Sequence, residues 1–205
     1  MNKDIEKLPY FTLSQLSFYL KDKKTATVYI DNWLKSGKIH RIAKWTYISD
    51  KKLNEFSFGW KLNSFIEFVA SNLVYTPSYI SLDYVLFENS VLTENVYNIT
   101  CVSTKKTASF KYSLWNFTYK SIKKDLFGDW EIIKKDWFWV YKASLEKALF
   151  DWFYFKRGIV WDIDYFDSLR LNLENLDLEK FEKIVDKYES KKLKKVLLYI
   201  KKMKW

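Results

Sequence analysis

Apolar positions in the first fifty residues recur at helical spacing in two consecutive segments. A capping box, Thr12 followed three residues later by Gln15, opens the first predicted helix, which ends at the polar run 21–24. A second helix is predicted to begin near Thr25. Its apolar stripe is formed by Ala26, Ile30, Trp33 and Leu34. The remaining residues of this helix face away from the stripe, and we expect them to be exposed.

A glycine, Gly37, stands where the second helix should end, because a C-terminal cap commonly takes a positive φ. Alternating residues from 39 to 48 then predict two short strands with a turn near Ala43–Trp45. A helix, a short turn, a second helix and a basic hairpin follow one another in a winged helix-turn-helix, so residues 1–50 are predicted to form such a domain. The same shape also serves as a protein-docking module that binds no nucleic acid.

In a winged helix-turn-helix the second helix enters the major groove, and side chains near its N-terminus reach base edges. Hydroxyl and methyl groups on that helix can read bases, whereas cations on the helix and the hairpin contact the DNA backbone. The predicted DNA-binding residues are Lys23, Lys24, Thr25, Thr27, Val28, Lys35, Arg41 and Lys44. Asp31 on the same predicted face is unfavourable for a DNA contact.

The remaining residues, 51–205, predict a mixed C-terminal domain. Residues 51–60 lack a clear period and are predicted to be a connector. A short helix then follows through Leu62, Phe65, Ile66 and Val69 and is predicted to end before Tyr75. Alternating segments predict an antiparallel sheet, and they are 96–102, 108–112, 115–119 and 137–141. The predicted N-caps of further helices are Ser81, Ser144, Asp177 and Ser190. The predicted fold class is therefore α+β, a winged helix-turn-helix followed by a domain with an antiparallel sheet and helices.

The amino-acid composition excludes several classes of functional site. The 205-residue chain has only 4 Gly, 1 Cys and 1 His, which excludes a glycine-rich phosphate-binding loop, a disulfide scaffold and a Cys/His zinc site. The first residues lack an apolar signal core, and no uncharged apolar stretch is long enough to cross a bilayer. We therefore expect a cytoplasmic globular protein.

The net charge of +10 is concentrated at the two ends of the chain. Residues 1–50 carry nine Lys and Arg against five acids, and residues 191–205 carry seven Lys and no acid. The segment between them is close to neutral. Basic ends are typical of a protein that binds a polyanion such as nucleic acid, although the solvated surface of any lysine-rich protein has the same composition.

The best acidic cluster consists of Asp162, Asp164 and Asp167, since a D-x-D pair can hold Mg²⁺ for nucleotidyl transfer. The Gly-Ser turn that usually precedes such a pair is absent, because Ile159 follows Gly158. Helix capping and surface salt bridges explain these aspartates more simply. We predict no catalytic residue, no metal site and no cofactor, and hence a protein that is not an enzyme.

The single histidine and the single cysteine have ordinary explanations. His40 lies on a predicted strand of the wing with no carboxylate close to it in sequence, and it is predicted to face the surface or a phosphate group. Cys101 lies in an alternating strand and is predicted to be a small core residue.

Two features leave alternatives open. The aromatic run 137–141 could stack on unpaired bases if one face of its strand were exposed, but filling of the core is the favoured interpretation. The lysines of the C-terminal segment could contact DNA phosphates or tRNA, or could form the solvent-exposed face of an amphipathic helix. They are Lys191, Lys192, Lys194, Lys195, Lys201, Lys202 and Lys204.

Four segments, in order along the chain, resemble the AbiEi family of antitoxins from type IV toxin–antitoxin and abortive-infection systems. They are Tyr10–Leu13 with Thr25, Ala26 and 42–47; Pro77–Leu82 with 96–107; Ala143–Asp151; and Leu169–Asn172 with the lysine-rich tail. The resemblance extends from about Tyr10 to Lys202. Its most specific parts are P-S-Y-I-S-L (77–82) and S-L-E-K-A-L-F-D (144–151).

The resemblance implies a two-part protein without enzymatic activity. Its winged helix would bind inverted repeats of operator DNA in the promoter of its own operon and repress it, and the symmetry of such repeats predicts two copies on the DNA. Its C-terminal domain would counteract a nucleotidyltransferase toxin of the AbiEii type, with or without touching it. Two alternatives are a winged-helix regulator without a toxin partner and an RNA-binding module that uses the aromatic sheet and the lysine tail.

The chain departs from the family pattern at three places. Family members usually have a glycine at the turn of the wing, where this chain has Trp45, so the turn either has another geometry or packs its Trp against the domain. The polar run 21–24 replaces a Gly-Ile-Ser pattern. Tyr84 and Val85 replace small residues, which predicts local repacking.

Overall fold

The computed structural model describes residues 3–59, 61–94, 96 and 98–204, and its fold is a mixed α+β arrangement of helices around two sheets. The N-terminal elements are α1 (Lys3–Lys7), β1 (Phe11–Thr12), α2 (Leu13–Leu20), α3 (Lys23–Lys35), β2 (Ile39–Ala43) and β3 (Thr46–Ser49). Both predicted helices and both predicted strands of this segment are present. The turn between the strands lies where the sequence predicts it.

Side chains set the starts of α2 and α3. The capping box of α2 is complete, because Gln15 N–H donates to Thr12 Oγ1 at 3.2 Å and Thr12 N–H donates to Gln15 Oε1 at 2.8 Å. Helix α3 begins two residues before the predicted Thr25. The carboxylate of Asp22 caps it by accepting the N–H groups of Lys24 at 3.1 Å and Thr25 at 2.9 Å.

The small sheet has the order β1-β3-β2 and is antiparallel throughout. Its two faces contribute to different cores. Ile39 and Tyr47 pack with Ala26 and Ile30 of α3, whereas Ile42 and Ile48 belong to the larger core that continues through the rest of the chain. The β2–β3 hairpin therefore lies between the two parts of the molecule and contacts both.

The second sheet has six strands: β4 (Ser78–Ile80), β5 (Ile99–Ser103), β6 (Ala108–Lys111), β7 (Asn116–Ser121), β8 (Trp130–Lys135) and β9 (Phe138–Ala143). Their order is β6-β7-β5-β4-β9-β8. The prediction of an antiparallel sheet is only partly confirmed: β4 with β5, β6 with β7 and β8 with β9 are antiparallel, but β4 with β9 and β5 with β7 are parallel pairs. Alternation of apolar residues has the same period in both directions and cannot distinguish them. Tyr97 of the predicted strand 96–102 lies outside the described residues.

The helices that follow the small sheet are α4 (Asp50–Phe58), α5 (Leu62–Val69), α6 (Asp83–Glu88), α7 (Leu145–Phe155), α8 (Ile163–Ser168), α9 (Leu178–Lys187) and α10 (Lys191–Lys204). Of these, α5, α6 and α7 pack against strands of the six-stranded sheet. A π-helical turn, Ala70–Val74, continues α5, and a 3₁₀ turn spans Lys124–Leu126. None of the helices in the described part of the chain combines the length and the apolar character that crossing a bilayer requires.

The predicted connector over 51–60 was wrong, because most of it is helix α4. Ser49 caps the helix by accepting the N–H of Lys52 at 3.1 Å. Leu53 and Phe56, three residues apart, bury one face of it. Because this helix has only nine residues and two buried positions, its apolar residues do not show a helical period in the sequence. Trp60, the last residue of the predicted connector, lies outside the described residues.

The predicted helix caps had mixed outcomes. Ser144, Asp177 and Ser190 accept the expected backbone N–H groups at 3.3, 3.0 and 3.4 Å. The predicted N-cap at Ser81 was wrong, because α6 begins at Asp83 and the residue before the helix is Leu82, with φ 62°. The Ser81 hydroxyl instead donates to a buried carboxylate in α7, described below.

Candidate nucleic-acid interface

Helix α3 presents one face to the core and the opposite face to solvent. Ala26 and Ile30 are buried, whereas Lys24, Val28 and Lys35, which lie on the opposite side of the helix, are exposed. All the predicted DNA-binding residues are exposed, including Lys23, Thr25 and Thr27 on this helix and Arg41 and Lys44 on the hairpin. The exposed face of α3 is thus available for contact with a partner.

The two threonine hydroxyls of α3 are already used inside the helix. Thr25 Oγ1 donates to Asp22 Oδ2, and Thr27 Oγ1 donates to the carbonyl oxygen of Lys23 at 2.9 Å. Each hydroxyl proton is therefore engaged in the unbound protein. Each threonine can still use an oxygen lone pair to accept a hydrogen bond from a base donor, and its methyl group can contact the methyl group of thymine.

Asp22 is a charged residue at this surface that the sequence analysis did not single out. Hydrogen bonds from the Thr25 hydroxyl and from the backbone N–H groups of Thr25 and Lys24 lower the pKa of its carboxyl group. Its negative charge lies next to Lys23 and Lys24, and it opposes a phosphate at the same place. The spacing from Asp22 to Thr25 is that of an N-cap residue, and this signal could have identified it.

The β2–β3 turn keeps a left-handed residue although it has no glycine. Trp45 has a left-handed φ of 59°, so the turn keeps the conformation that a glycine would adopt. Its side chain is exposed and does not pack against the domain. Both alternatives predicted from the missing glycine are therefore wrong. The Trp45 carbonyl oxygen accepts the N–H of Leu13 at 3.0 Å, which fixes the turn against the start of α2. A left-handed conformation costs a non-glycine residue about 1–2 kcal/mol.

Arg41 and Lys44 of the hairpin adjoin the loop that follows β6. The Arg41 guanidinium lies 5.6 Å from the ring centroid of Tyr47. Burial raises the pKa of Tyr112, while the charge of Arg41 and the nearby backbone N–H of Lys44 oppose that rise. A groove of about 510 Å³ between hairpin and loop includes Arg41 and the exposed Lys111 in its walls. Lys111 thus extends the basic surface beyond the first fifty residues.

His40 does not occupy the open position that its strand predicted. It is half-buried, and its Nε2 lies 2.8 Å from Asp50 Oδ1. The carboxylate comes from the first residue of α4, which was predicted to be the end of the hairpin domain. One ring nitrogen of His40 is therefore engaged in a contact within the protein.

The two most specific segments of the resemblance meet in one buried cluster. Lys147 Nζ lies 2.7 Å from Asp151 Oδ1, and Tyr79 and Ser81 donate to Asp151 Oδ2 at 2.9 and 2.8 Å. Burial raises the pKa of Asp151, although Lys147 and both hydroxyl groups favour its charged form. Lys147 and Asp151 have no exposed surface. The cluster therefore holds β4 against α7 and presents no charge to a ligand.

A second buried cluster includes Tyr84. Its hydroxyl donates to Glu67 Oε1 at 3.1 Å, and the same carboxylate pairs with Lys142 at 3.1 Å and with Lys135 at 2.9 Å. Glu88 also pairs with both lysines. Tyr84 thus takes part in a buried ion-pair network that joins α5, α6 and the β8–β9 hairpin.

The remaining candidates for chemistry are Asp162, Asp164, Asp167 and Cys101. Asp162 caps α8 by accepting the N–H of Tyr165 at 2.7 Å, and Asp164 and Asp167 are exposed. Among the described residues no group of three His, Cys, Asp or Glu side chains is placed to hold a metal ion. Cys101 is buried, which raises the pKa of its thiol, and its prediction as a core residue is confirmed.

The aromatic run 137–141 does not simply fill the core. Phe138 and Val140 are buried, but Trp137 and Trp139 are 78% and 55% exposed. The interpretation of the run as core was therefore wrong for both tryptophans. They lie on the outer face of the β8–β9 hairpin, where β8 is the edge strand of its sheet.

The lysine-rich tail forms α10, whose apolar face is buried. Lys192 Nζ donates to the carbonyl oxygen of Tyr154 at 3.0 Å, and Lys201 pairs with Glu182 at 2.7 Å. The lysines that remain exposed are Lys191, Lys194, Lys195 and Lys202. The tail therefore has two structural lysines beside a solvated basic face.

No protein-family model matches the chain, and a search of curated proteins finds no match.

Proposed function

We propose that the chain is an AbiEi-like antitoxin that also represses its own operon, and that it is not an enzyme. In this proposal residues 1–50 are a winged helix-turn-helix and 51–205 are the antitoxin domain. Helix α3 enters the major groove of the operator DNA and the β2–β3 hairpin is the wing. Two copies bind the two halves of an inverted repeat.

One observation carries the DNA-binding part of the proposal. The predicted cations of α3 and the hairpin are exposed, and within the described residues none of them pairs with a carboxylate. They are Lys23, Lys24, Lys35, Arg41 and Lys44. Unpaired cations on one helix and an adjoining hairpin are what contact with a phosphate backbone requires, because each phosphate contact releases counterions.

The antitoxin part rests on the four segments that resemble the family. Two of them, far apart in sequence, meet at one buried cluster: the segment 144–151 contains the ion pair Lys147–Asp151, and the segment 77–82 supplies the Tyr79 and Ser81 hydroxyl groups that donate to Asp151. A shared packing requirement is a physical reason for both segments to occur in one chain. This supports a C-terminal domain of the AbiEi kind, whose activity against a toxin is then a property of its surface.

The antitoxin and repressor activities can be tested on the full chain in one strain. The neighbouring reading frame is expressed alone and with the chain, while a reporter is placed behind the promoter of the operon. We expect the chain to restore growth and to silence the reporter. The double variant Lys24→Ala/Arg41→Ala should still restore growth but leave the reporter active, because it loses phosphate contacts only.

Three results would contradict the proposal. A toxic neighbour that the chain does not rescue would remove the antitoxin activity and leave a regulator without a toxin partner. A reporter that the chain does not silence would remove the repressor activity. Operator specificity is tested separately with Thr27→Ala, which should reduce the preference for operator over random duplex. An unchanged preference would exclude Thr27 from base readout.

A further inference from the structure

Two tryptophan side chains are exposed at the end of the β8–β9 hairpin. Trp137 in the turn exposes 78% of its surface, and Trp139, two residues later, exposes 55%. Phe138 between them is buried, so the strand directs its aromatic residues to both sides. Neighbouring large apolar side chains on a surface mark an interaction site more often than a single one does.

Each of these indole rings has a lysine beside it. Lys61 Nζ lies 5.8 Å from the ring centroid of Trp137, and Lys134 Nζ lies 5.8 Å from that of Trp139. Lys134 is the residue opposite Trp139 in the antiparallel ladder. A cation at this distance can contact a phosphate group while the base of the same nucleotide stacks on the indole.

A groove of about 370 Å³ lies beside Trp137, between the hairpin and helix α4. Phe56 and Phe138 contribute aromatic surface to it. Its charged lining residues are Lys7, Lys52, Glu55 and Lys61. Glu55 pairs with Lys52 at 2.8 Å, so the groove keeps the positive charges of the other two lysines.

We propose that this groove, together with Trp137 and Trp139, binds unpaired nucleotides of a single-stranded nucleic acid. A base offers its faces for stacking only when it is free of its neighbours, whereas a duplex offers edges and phosphates. The surrounding positive charge favours a polyanion over an apolar peptide. This site shares no residue with the predicted DNA-binding surface of α3 and the hairpin, so the two proposals can fail separately.

The test measures fluorescence anisotropy of labelled twelve-nucleotide oligo(U) and oligo(dT) with the full chain. A labelled duplex of the promoter region is measured in parallel. Trp137→Ala should weaken single-strand binding about tenfold and leave duplex binding unchanged, because it removes a surface on which an unpaired base stacks. Trp137→Phe should recover most of the affinity, because it restores a stacking surface. Lys61→Ala should flatten the salt dependence by about 0.7 unit.

A matched control is Phe18→Ala, which removes an aromatic side chain that is 88% exposed on α2, away from the groove. It should leave oligonucleotide binding unchanged. Equal losses for Phe18→Ala and Trp137→Ala would overturn the proposal, as would the absence of oligonucleotide binding by the unaltered chain at low salt. Because Trp137 is exposed, its replacement should not change the thermal midpoint, and circular dichroism checks this.

Discussion

Lys147 Nζ lies 2.7 Å from Asp151 Oδ1, one turn further along α7, and neither side chain has any exposed surface. Removing one partner of such a pair leaves the other as a buried charge without compensation. We therefore expect Lys147→Met to lower the free energy of unfolding by about 3–5 kcal/mol, measured by urea denaturation. The double variant Lys147→Met/Asp151→Leu should be less destabilised than the single variant, because no charge then remains buried.

The control for this prediction is a partly exposed pair of the same type. Lys201 and Glu182 are 2.7 Å apart, and Lys201→Ala should cost no more than about 1 kcal/mol. If Lys147→Met cost as little as Lys201→Ala, the buried pair would not be what holds β4 against α7.

Glu88 predicts a dependence of stability on pH. Burial pushes the pKa of its carboxyl group up, but the hydrogen bond and charge of Lys142, with those of Lys135, outweigh this and leave the pKa below its ordinary value. The ion pairs therefore stabilise the fold fully above the unfolded-state value of about 4.5, and this stability is lost as the pH falls through the lower folded-state pKa.

Glu88→Gln removes this titration. We expect the variant to have a lower urea midpoint than the unaltered chain at pH 7 and a smaller fall in midpoint between pH 5 and pH 3. The measurement is a series of urea denaturations across that range. Parallel curves for the two proteins would show that Glu88 does not contribute to acid sensitivity.

Much of the helical architecture follows from local patterns. The caps at Thr12, Ser144 and Asp177 and the buried pair Ala26 and Ile30 are set by residues within four positions of one another. Such signals depend on hydrogen bonds and spacings inside one helix. They can be predicted without knowledge of the rest of the fold.

What could not be predicted depends on distant parts of the chain. The Ser81 hydroxyl donates to Asp151 instead of capping a helix, and Trp139 is exposed although its neighbours Phe138 and Val140 are buried. Strand direction in the six-stranded sheet is likewise set by which strands meet. At the candidate interface, helical spacing predicted the exposed side of α3, but Lys111 adjoins Arg41 only through tertiary packing.

We expect Lys24 to make an electrostatic contact with DNA that the salt dependence of binding can detect. It is exposed in the first turn of α3, and Lys24→Ala should weaken binding to every duplex by a similar factor. The slope of log K against log salt should flatten by about one unit, since one phosphate contact is removed. Lys183→Ala on α9 removes an exposed lysine elsewhere and should leave the slope unchanged. A Lys24→Ala slope equal to that of Lys183→Ala would remove Lys24 from the contact surface.

Removing the negative charge of Asp22 should strengthen duplex binding, whereas removing the positive charge of Lys24 should weaken it. Asn caps a helix about as well as Asp does, so Asp22→Asn keeps the start of α3 while removing a negative charge next to Lys23 and Lys24. We expect a severalfold increase in duplex affinity in anisotropy titrations at low salt, and a smaller increase at high salt. Unaltered affinity at low salt would place this end of α3 away from the phosphates.

Lys111 tests whether the DNA-binding surface continues past the first fifty residues. It lines the same groove as Arg41, and the neighbouring Tyr112 lines it too. Lys111→Ala should therefore weaken duplex binding and flatten the salt slope by about one unit, as Lys24→Ala does.

The control is Lys105→Ala, because Lys105 is exposed in the turn between β5 and β6, in the same sheet as Lys111. Its replacement should change neither the affinity nor the slope. If Lys105→Ala and Lys111→Ala had equal effects, the contribution of Lys111 would be one of overall charge. If Lys111→Ala had no effect, the contact would be confined to α3 and the hairpin, and the groove would remain outside the bound DNA.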